Sequence, residues 1–319
     1  MLKKSFQTAK RVQCKASIML EGLAGRGKSG TALLIARALA SDWDKVYCID
    51  TENNSLNLFT DIPASTGDTF KDFKTVNLEP EDGYKPSNYL ELRNMAVQAG
   101  AEVVIEDSIS HAWQYEGGIL TLVSNISAKN PRGDKYAAWR DEEVMREKNL
   151  LLSLLRSNQV HVITTVRVKE KFAPELGDDG KTRIKSLGEQ QIMQDDIKFE
   201  PDLVLHLEKP GSNKCGVIKH PVATVVKSRY AIFEEGETYE LTPVLLQQLK
   251  EYLEEGTSPE ELLEKQKQEN VDALSEYLKQ NPAKKAIWKV LKADAGLSNT
   301  PLEEIPLNAL KLLYAQLFN

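Results

Sequence analysis

Eight consecutive residues, Gly22-Leu23-Ala24-Gly25-Arg26-Gly27-Lys28-Ser29, match the pattern G-x-x-x-x-G-K-[ST] in full. A loop of this kind wraps an anion: the glycines let successive backbone N–H groups point inward, the lysine reaches the outer phosphate oxygens, and the hydroxyl can ligate Mg²⁺. The pattern assigns Gly22, Leu23, Ala24, Gly25, Arg26, Gly27, Lys28 and Ser29, with the following Gly30, to a nucleotide's phosphates, and makes ATP and Mg²⁺ the expected ligands. Its flanks agree. Ala16-Ser17-Ile18-Met19-Leu20 is a short apolar run that predicts a buried strand, and Thr31 to Leu39 is apolar at helical spacing.

A chain of 319 residues holds one sizeable core plus an appendage. Apolar residues make up 41% and charged residues 28%, a globular composition, and no run approaches the roughly 18 apolar residues of a membrane span. Met1-Leu2-Lys3-Lys4-Ser5 lacks the apolar core of a signal peptide, and three cysteines without C-x-x-C spacing argue against a disulfide framework or a zinc site. A cytoplasmic protein without membrane contact is expected. The net charge of −6 gives no global attraction to nucleic acid, so such binding must rest on local patches. Residues 1 to 15 and residues 279 to 292 each carry five basic residues and no acid.

From Ala16 to about Leu241 short apolar runs alternate with helical patterns, which predicts an α/β fold with a mostly parallel central sheet. Predicted strands are Ser17 to Leu20, Val46 to Ile49, Phe73 to Leu78, Glu102 to Ile105, Val160 to Thr164, Leu203 to Leu207 and Thr224 to Lys227. The clearest helices are Pro86 to Ala99 and a long one from Tyr136 to Ser157. Between 166 and 199 the residues show little periodicity, which predicts a long functional loop. Gly256-Thr257-Ser258-Pro259-Glu260 looks like a helix stop followed by a new cap, dividing a core over 1–256 from a small all-helical C-terminal domain over 257–319. In that domain Lys285, Trp288, Lys289 and Lys292 share one helical face.

A phosphate loop needs a carboxylate on the metal side. Val103-Val104-Ile105-Glu106-Asp107 puts acids at the C-terminal end of a buried strand, where ligands collect in open α/β sheets. Asp107 joins Ser29 as a metal-side group, with Glu106 the second choice.

Asp50-Thr51-Glu52, Asp107-Ser108-Ile109-Ser110-His111, His161 to Arg167 and Val225-Val226-Lys227-Ser228-Arg229 together resemble the RecA-like recombination ATPases, and more narrowly the phage-encoded single-strand annealing type, over about residues 15 to 240. The resemblance implies a RecA-like P-loop core and makes Glu52 the base that activates water. Lys227 and Arg229 become cations reaching a neighbouring subunit's nucleotide. RecA's switch residue, usually Gln, is Thr165 in this chain. The loop that follows is implied to bind single-stranded DNA through Arg167, Lys169, Lys171, Lys181, Arg183 and Lys185. The function implied is a DNA-stimulated ATPase for recombination or annealing in a phage or prophage setting, assembled as a homo-oligomeric ring or filament, with a single-stranded DNA-binding protein as a further partner. A helicase loader or other protein-remodelling ATPase, and a small-molecule kinase, are the alternatives.

Overall fold

The computed structural model describes residues 8–64, 67, 69–129, 136–176, 182–194, 196–208 and 220–318. The chain forms two compact units. Cys14–Leu253 make up one, and the other gathers residues 8–13 with those from Glu254 onward. The sequence placed the division at 256/257 and left the N-terminal residues with the core. What it could not show is that Val12 bridges Thr257, with Gln13 N–H donating to the Thr257 carbonyl at 3.0 Å. Gly256 makes that pairing possible, at φ +107°, because a Cβ there would sit 2.5 Å from the Arg11 carbonyl oxygen.

The large unit is α/β. In chain order its elements are β1 (Ser17–Gly22), α1 (Lys28–Leu39), β2 (Val46–Asp50), β3 (Lys74–Asn77), α2 (Pro86–Gln98), β4 (Val103–Asp107), the short α3 (Ser110–Gln114), α4 (Ile119–Lys129), α5 (Glu142–Leu154), β5 (His161–Leu176), β6 (Thr182–Gln191), β7 (Leu203–Leu207), β8 (Val222–Ser228), β9 (Thr238–Glu240) and α6 (Pro243–Glu254). The sheet order is β3-β2-β4-β5-β1-β7-β8-β9, with β6 pairing only β5. Pairs from β3 through β7 are parallel, and β8 and β9 add an antiparallel edge.

Both sheet faces are covered, and strand alternation decides what each side chain meets. Ile18 and Leu20 pack with Leu33, Leu246 and Leu249 on one face, whereas Met19 between them joins Tyr89, Val144 and Leu151 on the other.

Two expectations fail here. The single helix over 136–157 is instead a 3₁₀ turn, Ala137–Arg140, followed by α5, because the Asp141 side chain accepts from the Glu143 N–H and starts a new helix. The aperiodic loop over 166–199 is largely a β-hairpin: β5 runs on past its parallel neighbours and β6 returns antiparallel to it. Its sequence mixes charged, small and apolar residues without the sustained alternation that marks a half-buried strand. Among the described residues no helix is long and apolar enough to cross a membrane.

At the lower end of β5 the Ala16 N–H donates to His161 Nδ1 at 2.9 Å, so that nitrogen must be unprotonated. Burial, and after it the charge of Lys15, push the ring's pKa down to about 4, against the pull of Glu102. The unfolded ring, near pKa 6.5, takes up its proton first, so this group's contribution to stability is full at neutral pH and is lost as pH falls from 6.5 toward 4. Burial also raises Glu106 and Asp107, whose protonation acts in the opposite sense. The measurement is therefore a difference. The stability gap between wild type and His161→Gln in urea melts is expected to shrink by about 1–2 kcal/mol from pH 7 to pH 4.5. A gap independent of pH would mean that the ring takes up its proton in the fold as readily as in the unfolded chain.

Candidate functional site

β1 ends at Gly22, and the chain turns into α1 through two left-handed glycines, Gly25 at φ +76° and Gly27 at φ +78°. Gly27 occupies the helix N-cap and supplies no side-chain acceptor, so the first amide groups of α1 are left for an anion. Lys28 is folded back, its Nζ donating to the carbonyls of Gly22 at 3.0 Å and Leu23 at 3.1 Å. Burial lowers its pKa, with Glu52 and Asp107 opposing the shift and Arg167 adding to it. Gly30 serves differently: a Cβ there would meet the Phe59 ring at 3.0 Å.

Four adjacent strands bring the remaining pieces to the same edge. In the order β2-β4-β5-β1, Glu52 follows the first, Asp107 closes the second, Thr165 and Arg167 lie on the third and the phosphate loop follows the fourth. Lys28, Ser29, Glu52, Phe59, Arg167 and Ile192 line one cavity of about 410 Å³.

Asp107 and Glu106 point to opposite faces of β4, which separates their roles. Asp107 accepts from the Thr165 hydroxyl through Oδ1, while Oδ2 is buried without a partner. Burial raises the Asp107 pKa, and the hydroxyls of Ser29 and Thr165 work against that rise. An orphaned carboxylate oxygen beside the phosphate-loop serine fits Mg²⁺, a hard cation that takes oxygen ligands and retains water. Glu106 instead meets Arg93, donating through Nε at 3.0 Å and through Nη2 at 2.5 Å to the same oxygen. It is a buried ion-pair partner, away from the phosphate loop.

Glu52 is fixed by its neighbour two residues back. Asp50 Oδ1 accepts the Glu52 N–H at 2.6 Å and Oδ2 accepts the Leu56 N–H at 2.9 Å. Glu52 Oε1 in turn accepts from Arg167 Nε at 2.8 Å. The same guanidinium donates to the Tyr115 hydroxyl at 2.9 Å and stands 5.6 Å from that ring's centre. Thr51 joins the ends of β2 and β4: its N–H donates to the Asp107 carbonyl at 2.8 Å and its hydroxyl accepts the Ser108 N–H at 2.9 Å. His111, in contact with the Thr51 hydroxyl, has its pKa pushed down to about 4 by burial and then by Arg167.

Lys227 and Arg229 lie elsewhere. Ser228 pairs with Leu203, which aligns with Ile18 at the start of β1, so this end of β8 is opposite Gly22. Lys227 Nζ donates to the carbonyls of Phe199 at 2.6 Å and Pro201 at 2.5 Å, and Arg229 bonds Asp202 at 2.7 Å. Both cations are tied to the 199–202 turn of their own chain and neither lines the phosphate-loop cavity.

Of the six basic residues expected to contact DNA, Arg167 is committed to Glu52, and Lys169 and Lys171 are exposed on the β5 arm of the hairpin. Lys181 lies outside the described residues, as do the side chains of Arg183 and Lys185. Sequence reasoning missed Phe59 at the cavity, Tyr115 as a partner of Arg167, and Thr51 as the staple between strands. The only signal for Thr51 was its position inside Asp50-Thr51-Glu52.

No model of a known protein family matches this chain, and a search of the curated proteins gives no match.

Proposed function

We propose that this chain is a RecA-like ATPase of the phage recombination and annealing type, hydrolysing ATP in the cavity above β1 and binding single-stranded DNA along the β5–β6 hairpin. The observation that carries the reading is the convergence of Lys28, Ser29, Asp107 and Glu52 from separate strand ends, in the constellation that phosphoryl transfer requires. The free amides of α1 and Lys28 would hold the β and γ phosphates, Glu52 would take the proton of the attacking water, and Phe59 offers an apolar wall. Mg²⁺, held by Ser29 and Asp107, would neutralise charge between the β and γ phosphates. Arg167 links the two activities, because it stands at the root of the hairpin and is bonded to Glu52.

Lys227 and Arg229 are too far from their own phosphate loop to act there, so a catalytic role for them means action on a neighbouring copy. Mixing Lys28→Ala subunits with Arg229→Ala subunits, each inactive alone, is then expected to restore part of the activity at mixed interfaces. No recovery, with mixed assembly verified independently, would leave both residues as braces of the 199–202 turn.

The test of the whole reading is the rate of ATP hydrolysis across protein concentration, with and without single-stranded DNA. A rate that rises with assembly and with DNA supports it. Stimulation by a protein partner alone would favour a helicase loader, and full transfer to a small molecule by dilute monomer would favour a kinase.

A further inference from the structure

The C-terminal unit has a core of its own. Its helices α7 (Pro259–Gln280), α8 (Pro282–Asp294) and α9 (Leu307–Phe318) bury Val271, Leu274, Trp288, Ile305, Leu310 and Leu313 together. Beside that core lies a cavity of about 510 Å³ lined by Lys279, Lys285, Lys289 and Lys292, with Trp288 and Leu302 among its apolar walls.

Charge is sorted unevenly around it. From Glu254 onward the sequence holds eleven acidic residues and eight lysines, yet four of the lysines and none of the acids line this cavity. Among the described residues Lys279, Lys285 and Lys289 form no ion pair, whereas Lys284 turns away to donate to the Leu317 carbonyl at 2.6 Å. Lys292 is steadied by the Thr300 carbonyl at 2.5 Å. Ammonium groups gathered without counter-charges repel one another, an arrangement that an anion relieves. Lys285, Lys289 and Lys292 stand at i, i+4 and i+7 on α8, so the row extends about 10 Å along the helix axis. That reach suits successive phosphates of a strand better than one small anion. The apolar walls beside the row give a nucleobase somewhere to rest.

We infer that the C-terminal helical unit carries a second binding site, for the sugar-phosphate backbone of single-stranded nucleic acid, seated on Lys279, Lys285, Lys289 and Lys292 beside Trp288. Its lysines belong to neither the phosphate loop nor the hairpin, and the assignment holds whether or not the chain hydrolyses ATP.

The experiment is lysine acetylation of the full-length protein, read by mass spectrometry, with and without a twenty-residue oligothymidylate and without ATP. Lys285 and Lys289 are expected to be protected about fivefold or more, while Lys265 and Lys267 on α7 are unaffected. The same protection should persist in a Lys169→Ala/Lys171→Ala background, which separates this site from the hairpin. The double variant Lys285→Glu/Lys289→Glu alters exposed side chains and leaves Trp288 in place, so folding is preserved and can be verified by its melting curve. It is expected to bind the oligonucleotide at least about tenfold more weakly at low salt, with the slope of log affinity against log salt flatter by about 1.4, at about 0.7 per lost phosphate contact. Unchanged affinity and slope in the folded variant would overturn the assignment. So would equal protection by thymidine triphosphate at the same concentration, since the site would then take a small phosphorylated ligand and not a strand.

Discussion

Glu52→Gln is expected to leave ATP binding intact and to lower hydrolysis by about 10²–10⁴-fold, the range a positioned general base contributes. The substitution keeps the side chain's shape and an oxygen that can accept from Arg167, and removes the charge and the ability to take a proton. Asp50 holds the backbone at Glu52 through the 2.6 Å bond to its N–H, so the amide side chain should enter the cavity as the carboxylate does. Arg167 occupies Oε1, and that leaves the other oxygen for water. Lys28 and the amides of α1, which would carry the binding energy, are untouched, and a titration with a fluorescent ATP analogue should show an affinity within a few-fold of wild type. Lys28→Ala gives the opposite pattern, with binding itself lost. If Glu52→Gln turned over ATP at the wild-type rate, Glu52 would be no more than the partner of Arg167.

The two residues were not equally legible. The phosphate loop can be read letter by letter, because its chemistry is local: glycines at fixed offsets, then lysine and serine. The strands of the parallel sheet were also legible, since burial on both faces makes them short apolar runs, and Leu203–Leu207 falls where the pattern put it. Glu52 needed a resemblance, because an acid after a strand is common and only the neighbouring strand end shows what it faces. The hairpin was illegible because its sequence carries no sustained apolar alternation. Asp141 starts α5 at Glu142, later than expected, by a capping bond that apolar spacing does not register.

Least legible was the pairing of Arg93 with Glu106, and it carries the largest expected effect on stability. Arg93→Met should destabilise the fold by about 3–5 kcal/mol at neutral pH, the cost of leaving one partner of a buried ion pair uncompensated. In a protein of this size that is a fall in Tm of roughly 10 °C or more. The side chains are 4% and 0% exposed, and Oε2 of Glu106 already lacks a partner, so among the described residues Arg93 is the carboxylate's one counter-charge. Arg93 also donates to the carbonyls of Ser153, Leu154 and Arg156, which ends α5 with a cation. A Glu106→Leu change added to Arg93→Met should therefore recover only part of the loss, removing the buried charge while those carbonyls stay unpaired.

The pH dependence tells this mechanism from simple loss of packing. Burial already raises the Glu106 pKa, and Arg93 is the influence that holds it down. Without Arg93 the folded-state value rises further above its unfolded value of about 4.3, so the protonated form is favoured in the fold. Stability from that protonation is fully present below the unfolded pKa and is lost as pH rises through the folded one. The deficit of Arg93→Met relative to wild type should accordingly be smaller at pH 5 than at pH 8 in urea melts. A deficit of the same size at both values would mean that Glu106 keeps its charge by other means, and that what Arg93 supplies is its packing and its three bonds to the end of α5.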